Sequence, residues 1–272
     1  MKTLYLSDLD GTLLRSDQQI SEYSKNIINQ FIQNGNFFSY ATARSNVTAS
    51  KVTAGLNLNI PVICYNGAFI IENETKEILS SNYFSDEEVS FIFDNLTSNN
   101  VYPVVFAEIN GKEQFSYINK YINPVVKHFL DSRIGDPRRR EVSDIEDLYC
   151  GKVFYVACMD SEKALIPIEK CFNNNNKYNC IYHKDIYSNG QWCEILPVSA
   201  TKANAAKQLM SILGCQRLVA FGDGLNDIPL FTIADEKYAV SNAASELKDI
   251  ATAIIESNDN DGVARWLIEN RQ

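Results

Sequence analysis

The hydrophobic pattern of the first 80 residues alternates between two periods. The run KTLYLSD (2–8) is short, apolar and β-rich. SEYSKNIINQFIQNG (21–35) then sets Ile27, Ile28, Phe31 and Ile32 at helical spacing and stops at Gly35, a residue suited to ending a helix. NFFSYATA (36–43) returns to strand character, and IPVICYNGA (60–68) is an apolar run closed by Asn-Gly. Near-continuous apolar strands separated by amphipathic helices predict a parallel sheet covered on both faces. The last 70 residues repeat the rhythm. TKANAAKQLMSILG (201–214) puts Ala205, Leu209, Ile212 and Leu213 on one helical face and ends at Gly214. RLVAFGD (217–223) reads as a buried strand, and KYAVSN (237–242), SELKDIA (245–251), TAIIES (252–257) and GVARWLIENR (262–271) continue the alternation.

The middle, 84–184, breaks this pattern. SDEEVSFIFDNL (85–96) opens with Ser85 and Glu88 at the spacing of a capping box. Strand-like VYPVVFAE (101–108), GKVFYVACM (151–159) and NCIYH (179–183) surround a second helix near 161–172, with a polar turn at FNNNNKYN (172–179). This reads as an α+β insertion at 84–184 within an α/β core formed by 1–83 and 185–272.

Composition narrows the picture. The 272 residues allow one large or two modest domains. A net charge of -9 makes a poor match for nucleic acid or an anionic membrane. Met1-Lys2-Thr3 leads directly into a strand-like run, which reads as no signal peptide, and no apolar stretch approaches the roughly 18–20 residues of a membrane span. The seven cysteines are scattered, odd in number and without a CxxC pair, so reduced thiols and a cytoplasmic setting are expected. With only His128 and His183 to join them, they do not suggest a zinc site. No obligate protein partner is evident.

The candidate chemistry begins in YLSDLDGTLL (5–14), where Asp8 and Asp10 follow an apolar run and Gly11 turns the chain. In a strand, residues two apart point the same way, so both carboxylates would crowd one small volume at its carboxyl end, where open parallel sheets bind ligands. Alone, the tetrapeptide reads as a surface turn. A second acidic cluster changes this: in VAFGDGLNDIPLF (219–231) Asp223 ends another apolar run between Gly222 and Gly224, and Asn226 and Asp227 follow. Two acidic strand ends on one sheet edge make an oxygen-rich site of the kind Mg²⁺ favours. Thr42, in YATARS (40–45), ends the second strand with a hydroxyl able to donate to a phosphoryl oxygen. Lys202 starts a helix, where the dipole disfavours a cation unless it reaches an anion. By themselves, Thr42 reads as structural and Lys202 as solvated.

Taken together, these motifs resemble the haloacid dehalogenase (HAD) superfamily of phosphatases, in its Cof-type group with an α/β cap. SDLDGTLL, Thr42, Lys202 and FGDGLNDIPLF match its four motifs in order and spacing, and CYNGAFI (64–70) and SNDNDGVARWL (257–267) also look like that group. The resemblance implies an α/β fold, a Rossmann-like doubly wound parallel sheet with the insertion as a substrate-specifying cap. It implies a Mg²⁺-dependent phosphomonoester hydrolase acting on small cytoplasmic metabolites, sugar phosphates foremost. Asp8 would attack phosphorus and form an aspartyl-phosphate. Asp10 would protonate the leaving oxygen and then activate water. Thr42 and Lys202 would hold the phosphoryl group. Mg²⁺ would be held by Asp8, the Asp10 backbone carbonyl and Asp223, with Asp227 acting through water or orienting the ligands. Asn226 would contact phosphate or orient Lys202. Beside the Mg²⁺-bound Asp8, Asp10 would be pushed toward protonation by its like-charged neighbours.

Three positions depart from the family pattern. Ala43 and Ala203 stand where glycine is usual, and PVSA (197–200) replaces Pro-x-Gly. Ala43 therefore borders the substrate with an added methyl. Asn66 is either a substrate contact or a turn residue. The arginines of DPRRREVSD (136–144) either meet a second anionic group or lie in a solvated loop. A sugar phosphomutase shares this core and cap type, and the tail favours hydrolysis over it. A non-catalytic phospholigand-binding or receiver-like module is the reading from another class. Receivers phosphorylate an Asp after the third strand, and nothing acidic ends PVICYN (61–66).

Overall fold

The computed structural model describes residues 1–184 and 190–270. The chain runs through β1 (Thr3–Ser7), α1 (Glu22–Gln33), β2 (Phe37–Tyr40), α2 (Asn46–Val52), β3 (Val62–Cys64), β4 (Phe69–Ile71) and β5 (Ile78–Ser81). It continues through α3 (Asp86–Ser98), β6 (Val104–Ile109), β7 (Lys112–Ile118), α4 (Pro124–Asp131), β8 (Arg139–Val142), β9 (Lys152–Asp160), α5 (Glu162–Asn173), β10 (Tyr178–Lys184) and β11 (Gln191–Pro197). The last part holds α6 (Lys202–Leu213), β12 (Arg217–Gly222), α7 (Ile228–Ile233), β13 (Glu236–Val240), α8 (Ser245–Asp249), β14 (Ala253–Ile255) and α9 (Gly262–Glu269). Two compact units result, Met1–Ser81 with Ala200–Gln272, and Asn82–Ser199.

The first unit is built on a parallel sheet of order β14-β13-β12-β1-β2. Its strands are short and apolar, so Leu4, Leu6, Leu218 and Ala220 disappear entirely into the core. In α1 the Ser21 hydroxyl accepts from the Ser24 N–H, satisfying one of the helix's orphan donors. Ile28, Phe31 and Ile32 are buried from it, and the Phe31 ring meets the Tyr5 ring edge-on at 4.8 Å. In α6, Thr201 caps the start, Gly214 ends the helix in the left-handed conformation, and Ala205, Ala206 and Leu209 are buried. Ile212, expected on that face, is half exposed, because the buried stripe runs through Ala206 and Leu209 to the partly buried Leu213 and leaves position 212 at its edge. The third strand also differs from expectation. β3 meets β2's continuation only through the parallel bridge Ala41–Ile63 and then turns into an antiparallel sheet of order β3-β4-β5.

The second unit is a six-stranded sheet of order β10-β11-β9-β6-β7-β8. α3 carries the expected capping box between Ser85 and Glu88. Ile92 and Leu96 of α3 and Leu165, Ile168 and Phe172 of α5 pack with Val105, Val156, Cys158, Cys193 and Ile195 of the sheet. Between the strands foreseen from the pattern lie β7, α4 and β8, which it did not reveal. β11 pairs along both β9 and β10. The second boundary therefore falls at 199/200 rather than at the expected 184/185; residues 185–189, where the return was expected, lie outside the described residues.

The Arg138–Arg140 run is not a solvated loop. It leads into β8, which starts at Arg139, and its side chains bond within this unit: Arg138 to Glu113 and Asp136, Arg139 to the Tyr117 hydroxyl, and Arg140 to Ser116 and the Asp147 carbonyl. All seven cysteines are free thiols. Among the described residues no helix is long and apolar enough to cross a membrane.

Phe172 is wholly buried and meets the rings of Phe91 and Tyr178. Phe172→Ala is expected to cost about 3–5 kcal/mol, the usual penalty for emptying a large aromatic site in a core. Urea unfolding monitored by circular dichroism checks this.

Candidate active site

The site sits at the carboxyl ends of β1, β2 and β12. Asp8 follows β1 directly, and its N–H still bonds to the Phe221 carbonyl of β12. Asp223 follows β12, and its carbonyl accepts from the Ala244 N–H. Asp8, Asp223 and Asp227 each offer an oxygen, and these atoms lie within 4.8 Å of one another. Among the described residues this is the one cluster of its kind, and hard oxygen donors alone suit a hard divalent cation.

Lys202 enters the cluster from the first turn of α6. It is 1% exposed, and its Nζ donates to Asp8 Oδ1 and Asp227 Oδ1, each at 2.7 Å. It is thus not solvated. Burial would lower its pKa, but the carboxylates of Asp227 and Asp8 raise it, so it stays charged. Asp227 is fully engaged: Oδ1 takes Lys202, and Oδ2 accepts from the N–H groups of Asp223 and Gly224, both at 3.1 Å. Asp223 accepts the Thr12 hydroxyl on Oδ1 at 2.8 Å.

Two glycines make room for these carboxylates. Gly11 has φ +76°, and a Cβ there would land on the Asp223 carboxylate. A Cβ on Gly222 would meet Asp227 Oδ2 at 2.6 Å.

Charge in the cluster is unbalanced, with three carboxylates against one ammonium. Burial pushes Asp8 well above the ordinary carboxylate range, with Asp227 and Asp223 adding to the effect and Lys202 opposing it. Asp223 is pushed up to about 6, by burial first and then by Asp227. A divalent cation would relieve the excess.

Asp10 does not share this volume. The strand alternation that would bring it beside Asp8 stops at Ser7. Beyond it the chain turns on the Leu9 carbonyl, which accepts from Thr12, Leu13 and Leu14, and Asp10 bridges Leu14 instead. Its carboxylate is 47% exposed and held by Arg44, Nε to Oδ2 at 2.7 Å and a terminal nitrogen to Oδ1 at 2.5 Å. The like charges expected around Asp10 surround Asp8 instead.

Thr42 is fully buried, and its hydroxyl accepts the Arg44 N–H at 3.1 Å, which leaves the hydroxyl proton to donate elsewhere. Ala43 beside it is exposed. Asn66 is buried at φ 52° between Tyr65 at φ 50° and Gly67 at φ 103°. A Cβ at Gly67 would strike the Thr201 carbonyl, so this strained turn packs against the cap of α6. Asn66 Oδ1 accepts from Asn226 Nδ2 at 3.3 Å, which ties the two sequence candidates to each other.

The sequence reading passed over Arg44, whose signal is its place two residues after Thr42. It also passed over Asn242, which donates to the Gly11 carbonyl at 2.7 Å.

A family model described as haloacid dehalogenase-like hydrolase matches residues 5–267. The chain belongs to this family. It is 28% identical over 286 residues to the Bacillus subtilis 5-amino-6-(5-phospho-D-ribitylamino)uracil phosphatase YwtE, covering 96% of this chain and 95% of the relative. The B. subtilis phosphatase of the same name YitU is 25% identical over 268 residues, with 96% and 95% covered. In fold, it is similar to a haloacid dehalogenase-like hydrolase from Bacteroides thetaiotaomicron at TM-score 0.81, with 24% identity and 99% of each chain covered. The chain is thus a HAD-family hydrolase whose full-length relatives are named phosphatases.

The buried ammonium gives a direct test of the site. Lys202→Met leaves Asp8 and Asp227 buried without their cation. In metal-free protein at pH 7.5 this is expected to cost about 3–5 kcal/mol. The loss should shrink as the pH falls, because the raised Asp8 takes up a proton sooner than an ordinary carboxylate, and urea unfolding curves along a pH series read the trend.

Proposed function

We propose that the protein is a Mg²⁺-dependent phosphomonoester hydrolase for small phosphorylated sugars or polyols, acting through an aspartyl-phosphate on Asp8. The observation that carries this reading is Lys202 buried between Asp8 and Asp227. An ammonium held there fixes one oxygen of Asp8 and leaves Oδ2 to attack phosphorus. The substrate class follows the relatives, whose named substrate carries a phosphate on a ribityl chain. The inserted domain would select the leaving group.

Asp8 and Asp223 would hold the cation together with the Asp10 backbone carbonyl, and Asp227, already engaged by Lys202 and two amides, would orient the others. When bound, Mg²⁺ neutralises charge on the phosphoryl oxygens. In the first step the Asp8 oxygen–phosphorus bond forms as the phosphorus–leaving-oxygen bond breaks, and Asp10 gives its proton to the leaving oxygen. In the second, water adds to phosphorus, Asp10 takes its proton, and the bond to Asp8 breaks to release inorganic phosphate. Thr42 donates its hydroxyl to the phosphoryl group and Lys202 neutralises it. Asn66 and Asn226, bonded as a pair, border the same group, and Ala43 borders it with a methyl.

Phosphate release from a panel of phosphomonoesters, with Mg²⁺ and with EDTA, tests this reading. Asp8→Asn keeps the shape and removes the nucleophile, so release should fall at least roughly a thousandfold. Steady-state turnover by that variant near the wild-type rate would sink the assignment.

The pKa of Asp223 adds a pH dependence. A carboxylate raised in the fold keeps a proton that the unfolded chain has already released. The metal-free protein therefore loses stability as pH rises from the ordinary carboxylate range through about 6. Cation binding needs the ionised form. Mg²⁺ is thus expected to raise the melting temperature more at pH 7.5 than at pH 5; equal shifts would remove Asp223 from the ligand set.

A further inference from the structure

Asp10 carries the acid–base role in the proposed reaction, yet its carboxylate lies outside the Asp8–Asp223–Asp227 group and in the fork of Arg44. Arg44 is tied to both strand ends that frame the site. Its N–H holds the Thr42 hydroxyl at the end of β2, and its guanidinium holds Asp10 after β1. Its carbonyl accepts the Tyr65 N–H from the strained turn, and Gln18 shares the guanidinium at 3.1 Å. The backbone of Arg44 is therefore fixed, while its side chain pairs with a half-exposed partner. The pair is a two-point fork with Arg44 mostly covered and Asp10 about half exposed, so a competing anion reaches it from the Asp10 side.

We infer that Arg44 is the positioning residue of Asp10, and that their ion pair is a latch which a phosphorylated ligand opens. The inference rests on the hydrolase reading above. The guanidinium fork matches a carboxylate and a phosphate with the same two-point geometry. A phosphate dianion brings more charge than the Asp10 carboxylate to the same donors. As it arrives beside Thr42 it draws Arg44 off Asp10, whose side chain is then free to turn toward the leaving oxygen. The free protein holds its acid–base group aside, and ligand binding delivers it. Arg44 is thus in competition between an internal and an external anion.

Competition makes a specific demand on a double-mutant cycle. The probe is inorganic phosphate, titrated by calorimetry in the presence of Mg²⁺ into wild type, D10N, R44Q and D10N/R44Q. D10N removes the internal competitor and is expected to tighten phosphate binding by about tenfold when Arg44 is present, and by much less in the R44Q background. R44K keeps the charge without the fork, and the gain from D10N should be mostly lost there as well. Equal gains from D10N with and without Arg44 overturn the latch, and a full gain in R44K overturns the role of the fork. Wild-type turnover of p-nitrophenyl phosphate separates this from the hydrolase reading. Turnover with an additive cycle overturns the latch alone. No turnover, with no phosphate binding in any of the four proteins, overturns both.

Discussion

A buried lysine is tolerated only where its charge is matched, and Lys202 is matched twice. That constraint organises the sheet edge. Asp8 must leave β1 and Asp227 must follow β12 at the spacing of one ammonium, so the two strands have to be neighbours and parallel, as they are. α6 must begin at the same place, and Thr201 fixes where it begins by accepting the Asn204 N–H. Gly11 and Gly222 then follow, because any side chain there would occupy the volume of Asp223 or Asp227. The cation does not complete the balance. Three carboxylates around one ammonium leave negative charge in a poorly solvated place, and the raised pKa values of Asp8 and Asp223 are its expression.

The loop that carries Asp8 and Asp10 is held from outside by the C-terminal part of the chain. Asn242, just past β13, donates to the Gly11 carbonyl and accepts the Asn258 N–H at 3.1 Å. Asn258 in turn donates to the Leu14 carbonyl, and Asp259 accepts from the N–H and hydroxyl of Ser16. Asp261, in the left-handed conformation at φ 58°, gathers Arg15, Ser21 and Ser24. Together these bonds tie the turn after β1 to α1 and α9. They give physical content to SNDNDGVARWL, which the sequence marked without explaining.

Much of this was legible beforehand because it is local. The capping box at Ser85, the strands β1 and β12 and the stop at Gly214 are each written in a few adjacent residues. What failed was what depends on distant pairing. β11 has the same apolar character whichever sheet receives it, and only its partners β9 and β10 assign it to the second unit. Lys202, solvated when read alone, becomes buried only through carboxylates 194 and 25 residues away. Asp10 was misplaced because strand alternation was carried past Ser7, where β1 ends, into the turn built on the Leu9 carbonyl. Arg44 went unread because an arginine after a strand end has no signature until its partner is known.

The two alanines in place of glycine can now be weighed. A glycine is required where φ is positive or where a Cβ would collide. Neither Ala43 nor Ala203 has positive φ. Ala203 is buried in the first turn of α6, where alanine favours the helix over glycine by about 1 kcal/mol. It therefore stiffens the turn that presents Lys202. Ala43 is exposed, with its methyl outside the core. The backbone conformation around the acidic cluster thus does not depend on glycine at either position. Its close approaches depend instead on Gly11, Gly67 and Gly222, where added atoms would strike Asp223, Thr201 and Asp227, and all three are present.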